Sequence, residues 1–121
     1  MKIKFEYEKN NTLESRIELS TKLLEKYPDR KPVIIEKKQT EKNLKDITKN
    51  RYLLPNEMKL SDLIFIIRRH IEVTSEQSIF IFVNGHLVPS NSIISEIYNS
   101  YKNNDDQLLY IMYTTENTFG F

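Results

Sequence analysis

Leu60-Ser61-Asp62-Leu63-Ile64-Phe65-Ile66-Ile67-Arg68-Arg69-His70-Ile71 is the stretch on which the fold turns. Leu60, Leu63, Ile64, Ile67 and Ile71 recur with a helical period, which predicts a long helix beginning at Lys59 or Ser61 with one apolar stripe turned to a core. Such a stripe needs a sheet to cover, and strand signals lie on both sides of it. Downstream, residues 78–83 (Ser-Ile-Phe-Ile-Phe-Val) read as a strand, closed by the turn signal Asn84-Gly85. Residues 92–101 form a short helix with Ile93, Ile94 and Ile97 inward; after the polar turn at residues 103–106, residues 108–113 form the last strand.

Upstream, Arg51-Tyr52-Leu53-Leu54 is a strand ended by Pro55. Residues 37–50 are polar and lysine-rich, a loop around Leu44 and Ile47. Before it, Pro32-Val33-Ile34-Ile35-Glu36 carries apolar side chains in sequence, as a central strand covered on both faces does. The two strands are expected to be antiparallel neighbours, with the 51–54 strand at an edge. Further upstream, Asn11-Thr12-Leu13-Glu14 has capping-box spacing. The helix it opens is expected to bury Leu13, Ile17, Leu24 and Tyr27, to leave Leu19 and Leu23 off that stripe, and to stop at Pro28. The first ten residues alternate charged and apolar groups.

The order of helix, two strands, helix, strand, short helix, strand and tail defines an α+β layer architecture. It permits a ubiquitin-like β-grasp roll, and a ferredoxin-like arrangement shares the same ingredients. The 121 residues fit one domain. There is no cysteine, which excludes disulfides, thiolate nucleophiles and zinc–thiolate sites. His70 and His86 have no metal-ligand spacing, and no glycine-rich phosphate loop is present, so neither a metal, a cofactor nor an enzymatic centre is expected. No apolar run approaches the roughly 20 residues of a membrane span, and the N-terminus lacks a signal-peptide core, which points to the cytosol or nucleus. The net charge of +1 hides an asymmetry: residues 1–60 carry 15 basic and 10 acidic side chains, residues 61–121 only 3 basic and 7 acidic. Such a dipole steers partners toward one face. Lys37-Lys38 is the only adjacent lysine pair, so nucleic acid is not expected as a partner.

Three stretches carry a family likeness: Tyr27-Pro28-Asp29-Arg30-Lys31-Pro32-Val33-Ile34, Ile79-Phe80-Ile81-Phe82-Val83-Asn84 and Glu116-Asn117-Thr118-Phe119-Gly120. With them, in order over nearly the whole chain, the sequence resembles the autophagy ubiquitin-like modifiers of the GABARAP type. The resemblance implies a ubiquitin-like β-grasp roll with two additional N-terminal helices, the first within residues 3–9 and the second over roughly 12–25. It implies an N-terminal helical extension over 1–26, a ubiquitin-like domain over 27–113 and a flexible C-terminal conjugation tail over 114–121. It also implies a life cycle: a cysteine processing protease removes Phe121, and activating and conjugating enzymes pass the Gly120 carboxylate to the amine of phosphatidylethanolamine. The lipidated protein then sits on autophagosome and cytoplasmic vesicle membranes and recruits cargo receptors and adaptors. The alternative is an unconjugated adaptor in vesicle trafficking or on microtubules.

Glycine at position 120 suits that chemistry, since a residue without Cβ lets backbone enter a narrow cleft. By the same resemblance, receptors with aromatic-x-x-aliphatic motifs add a strand to the edge that begins at Arg51. The aromatic pocket is expected from Leu19, Leu23, Pro32, Ile34, Arg51, Leu53 and Leu108. The aliphatic pocket is expected from Tyr52, Leu54, Met58, Leu63, Ile66 and Ile67. Acidic residues flanking the motif are expected to meet Arg30, Lys49 and Arg51. The chain departs from the family where Leu19 replaces a common glutamate, Leu108 an aromatic and His70 an arginine, and where Thr114-Thr115 stands for Ser-Gly.

Overall fold

A computed structural model describes residues 5–116. The elements in chain order are α1 (Glu6–Asn10), α2 (Leu13–Lys26), β1 (Arg30–Lys37), β2 (Arg51–Pro55), α3 (Leu60–His70), β3 (Phe80–Val83), α4 (Ile94–Tyr101) and β4 (Leu109–Thr114). The strands form one sheet of order β2-β1-β4-β3, antiparallel except for the central parallel pair β1–β4. This is the ubiquitin-like β-grasp with two helices ahead of it, the fold that the resemblance implied.

Alternation along the central strands gives the sheet two dry faces. Val33 and Ile35 of β1, with Leu109, Ile111 and Tyr113 of β4, join Leu60, Leu63 and Ile67 of α3 and Ile94 and Ile97 of α4 in the main core. Ile34, Tyr110 and Met112 point the other way, into a smaller core with Phe5, Tyr7 and Leu108, against which Leu19 packs. The unbroken apolar run of β1 is thus covered on both sides, as expected. The stripe of α3 is as predicted, with Ile64 partly buried at its margin.

The N-terminal helices depart from expectation in detail. Thr12, not Asn11, caps α2: its Oγ1 accepts from Ser15 N at 3.1 Å. Asn11 instead donates from Nδ2 to Tyr7 O at 2.9 Å. The buried positions of α2 are Arg16 and Ser20, whereas Leu13 and Ile17 are exposed. A polar pair holds this face because its groups are satisfied. Arg16 Nη1 meets Asp106 Oδ2 at 2.5 Å, and Asp106, fully buried, also accepts from Tyr110 Oη at 2.6 Å and from Leu108 N at 2.9 Å. Burial opposes the Arg16 charge, but bonding to Tyr110 and Asp106 outweighs it and raises the guanidinium pKa. Helix α1 is too short to hold itself. Glu36 of β1 fixes it, accepting from Glu6 N and Tyr7 N at 2.9 Å each, where the helix dipole favours a carboxylate.

Two turns complete the frame. Asn84 and Gly85 both have positive φ, and Val83 and His86 exchange backbone bonds around them, as a tight primed turn requires. The 103–107 turn has no glycine, and Gln107 takes the left-handed conformation (φ 64°) itself. Asn103 Oδ1 holds that turn by accepting from Asp105 N and Asp106 N.

Candidate recognition grooves and the root of the tail

Strand β2 is the sheet's edge beside β1, as its sequence suggested. The bonds Ile35 N to Asn50 O (2.8 Å) and Asn56 N to Asp29 O (2.9 Å) set the phase of the β1–β2 ladder. In that phase Tyr52 and Leu54 bond to β1, and Arg51 and Leu53 turn their backbone groups outward. Pro32 lies opposite Leu53 in a pair that exchanges no bonds, so its missing N–H removes nothing from the β1–β2 ladder. The Leu53 carbonyl accepts from Arg30 Nη1 at 3.3 Å. What remains of the edge is a template for an added strand.

Side chains of β2 alternate onto the two faces of the sheet. On the α2 side, a hollow of about 590 Å³ is lined by Leu19, Leu23, Thr48, Lys49, Asn50, Arg51, Tyr52 and Leu53. Of the residues expected in an aromatic pocket, Leu19, Leu23, Arg51 and Leu53 line this hollow. Pro32, Ile34 and Leu108 are buried. Leu19 and Leu23 are half-buried rather than solvent-facing. Thr48 and Asn50 were not foreseen, and a polar loop gives no local signal for them.

On the α3 side the expected aliphatic set divides. Leu54, Leu63 and Ile67 are core residues, while Tyr52, Met58 and Ile66 are half-buried and reach the surface. Tyr52 is held from two directions. Its hydroxyl meets His70 Nδ1 at 3.2 Å, and Lys49 Nζ lies 5.1 Å from its ring centroid. Burial raises the Tyr52 pKa. Among the expected acidic-flank contacts, Lys49 and Arg51 are exposed at the rim and Arg30 is half-buried. The arrangement is an edge strand beside a hollow floored by leucines, with half-buried Tyr52, Met58 and Ile66 on the other face and basic residues at the rim. It suits an extended, acid-flanked peptide.

Strand β4 continues through Thr114, which is fully buried. Glu41 Oε1 accepts from Thr114 Oγ1 at 2.8 Å, from Thr115 N at 2.5 Å and from Thr115 Oγ1 at 2.7 Å. Its Oε2 accepts from Asn43 N at 2.9 Å. Burial works against the Glu41 carboxylate, yet these donors hold its pKa down at about 2. Lys38, also buried, pairs with Glu116 at 3.2 Å. Gly120 and Phe121 lie outside the described residues.

A β-grasp domain with a leading pair of helices and a hollow beside its open edge strand is the architecture of a ubiquitin-like protein. Comparison with known proteins narrows this class. Residues 15–120 match the family model "Autophagy protein Atg8 ubiquitin like". The chain is 40% identical over 111 residues to autophagy-related protein 8a of Arabidopsis thaliana, covering 92% of this chain and 89% of that one. It is 39% identical over 115 residues to autophagy-related protein 8 of Pichia angusta, covering 95% and 90%. The crystal structure of Trypanosoma brucei ATG8 superposes with a TM-score of 0.85 at 29% identity, covering 98% of this chain and all of that one. The chain belongs to the ATG8 family: it is a ubiquitin-like modifier of autophagy, not an enzyme.

Proposed function

We propose that this modifier is trimmed after Gly120 by a cysteine protease and conjugated through the glycine carboxylate to phosphatidylethanolamine. Activating and conjugating enzymes of the ubiquitin-like kind carry out the transfer. The lipidated form resides on autophagosome and vesicle membranes, and the unlipidated form in the cytoplasm. There it recruits receptors whose aromatic-x-x-aliphatic motifs add a strand to β2. The aromatic side chain enters between Leu19, Leu23 and Leu53, over a floor of Pro32, Ile34 and Leu108. The aliphatic one enters beside Tyr52, Met58 and Ile66, over Leu54, Leu63 and Ile67. Arg30, Lys49 and Arg51 receive acidic flanking residues.

The observation that carries receptor binding is the hollow of about 590 Å³ against the outward-facing backbone of Arg51 and Leu53. Conjugation is supported by family membership and by a glycine at position 120, the last residue of the family match. Intact mass after incubation with a matched processing protease tests it. Loss of the residue after Gly120, abolished in Gly120→Ala, is the expected result. An intact wild-type chain with an active, matched protease favours the unconjugated adaptor.

A further inference from the structure

The root of the C-terminal segment is tied more heavily than the sheet requires. Thr114 is already held by β3, opposite Phe80. Thr115 and Glu116 lie beyond the last strand, so bonds to them come on top of what the β3–β4 pairing supplies. Yet Glu41, 74 positions away from Thr115, gives one carboxylate oxygen to both the amide and the hydroxyl of that residue. Thr114 Oγ1 extends the tie, donating to Glu41 and accepting from Glu116 N at 3.2 Å. Lys38 completes it from the same loop through Glu116, while its own amide donates to Tyr113 O at 2.9 Å. Glu41 is 4% exposed and Lys38 3%, so water competes little for either.

We propose that Glu41 is a positioning residue for the chemistry at Gly120: by fixing Thr114 and Thr115, with Lys38 holding Glu116, it sets where the C-terminal segment leaves the sheet. This rests on the reading that the chain is trimmed and conjugated at Gly120. Four residues, 117–120, separate the tie from the reacting carboxylate and reach at most about 14 Å. An enzyme acting there must therefore approach the 38–43 loop and the end of β4. It meets a root that is already ordered, and ordering each backbone residue on binding otherwise lowers affinity by roughly tenfold. The carboxylate's low pKa keeps the tie closed throughout the neutral range.

The test is steady-state trimming of the full chain by a matched cysteine protease, followed by intact mass. Glu41→Ala is expected to raise KM about tenfold, equivalent to one backbone residue left unordered, with kcat unchanged. Thr115→Val, isosteric and outside the core, is expected to shift KM in the same direction by less and guards against a folding defect in Glu41→Ala. Glu41→Gln, whose amide oxygen still accepts from Thr115 but more weakly than the carboxylate, is expected to recover part of the loss. A larger rise in amide hydrogen exchange at Thr115 than in α3 in Glu41→Ala is the structural counterpart. A wild-type chain that is trimmed, with variants of unchanged KM, overturns this inference alone. A wild-type chain that is not trimmed overturns the underlying reading and this inference with it.

Discussion

Asp106→Ala removes the acceptor at the centre of the contact between α2 and the sheet. Asp106 is fully buried and takes three donors: Arg16 Nη1, Tyr110 Oη and Leu108 N. Removing one partner of a buried ion pair costs about 3–5 kcal/mol, because the surviving charge stays desolvated. The Arg16 side chain is 10% exposed and keeps an Nε bond to Asn11 O, so it reaches some water and the loss falls near the lower bound. The expected destabilisation is about 3 kcal/mol, which in a domain of this size lowers Tm by roughly 12 °C. Thermal and urea unfolding of Asp106→Ala, Arg16→Met and the double variant measure it. The double variant should lose at least about 1 kcal/mol less than the sum of the singles, because the two side chains are in contact. The same loosening should weaken motif-peptide binding, since α2 supplies Leu19 and Leu23 to the hollow. An Asp106→Ala loss below about 1 kcal/mol, or strict additivity, would refute the claim that this pair holds α2.

Two further outcomes are expected. Leu53→Ala should weaken binding of an aromatic-x-x-aliphatic peptide by about 1–3 kcal/mol, the range of a central interface anchor, and calorimetric titration reads it directly; unchanged affinity removes Leu53 from the groove. Glu41 has a folded-state pKa of about 2 against an ordinary 4.5, so its contribution is complete above pH 4.5 and is lost as pH falls toward 2. The shift corresponds to about 3 kcal/mol. Glu41→Gln should therefore be less stable than wild type at neutral pH and should converge with it in urea titrations near pH 2; a gap that persists at that pH contradicts the assignment.

The parts of the fold legible in the sequence are those in which burial follows a period. The stripe of α3 shows at Leu60, Leu63 and Ile67, and the two-sided burial of β1 shows in its unbroken apolar run. The inward turn of Leu54 against the exposed Arg51 is likewise written in the alternation Arg51, Tyr52, Leu53, Leu54. The buried face of α2 was hidden because Arg16 and Ser20 are polar, and only a distant aspartate makes burying the arginine tolerable. Leu13 and Ile17 have helical spacing and are nevertheless exposed. The role of Glu41 was equally silent: a glutamate in a lysine-rich loop looks solvated, and its partners come from the far end of the chain. The short helix α1 has no helical period: residues 1–8 alternate apolar and charged groups as a strand does, and Glu36 in a later strand fixes the helix.

The parallel pairing of β1 with β4 has a consequence for how the molecule is made. A nascent chain that has reached residue 100 contains β1, β2 and β3, but β3 is joined to the others only through β4. Until residues 109–114 emerge from the ribosome, Ile35 has no strand on its second side and the stripe of α3 lies over an incomplete sheet. Pairings of such long sequence separation form late and slowly. Synthesis should therefore pass through a stage in which the apolar β1 and α3 are exposed together, and chaperone occupancy of stalled chains should fall sharply once β4 has cleared the exit tunnel.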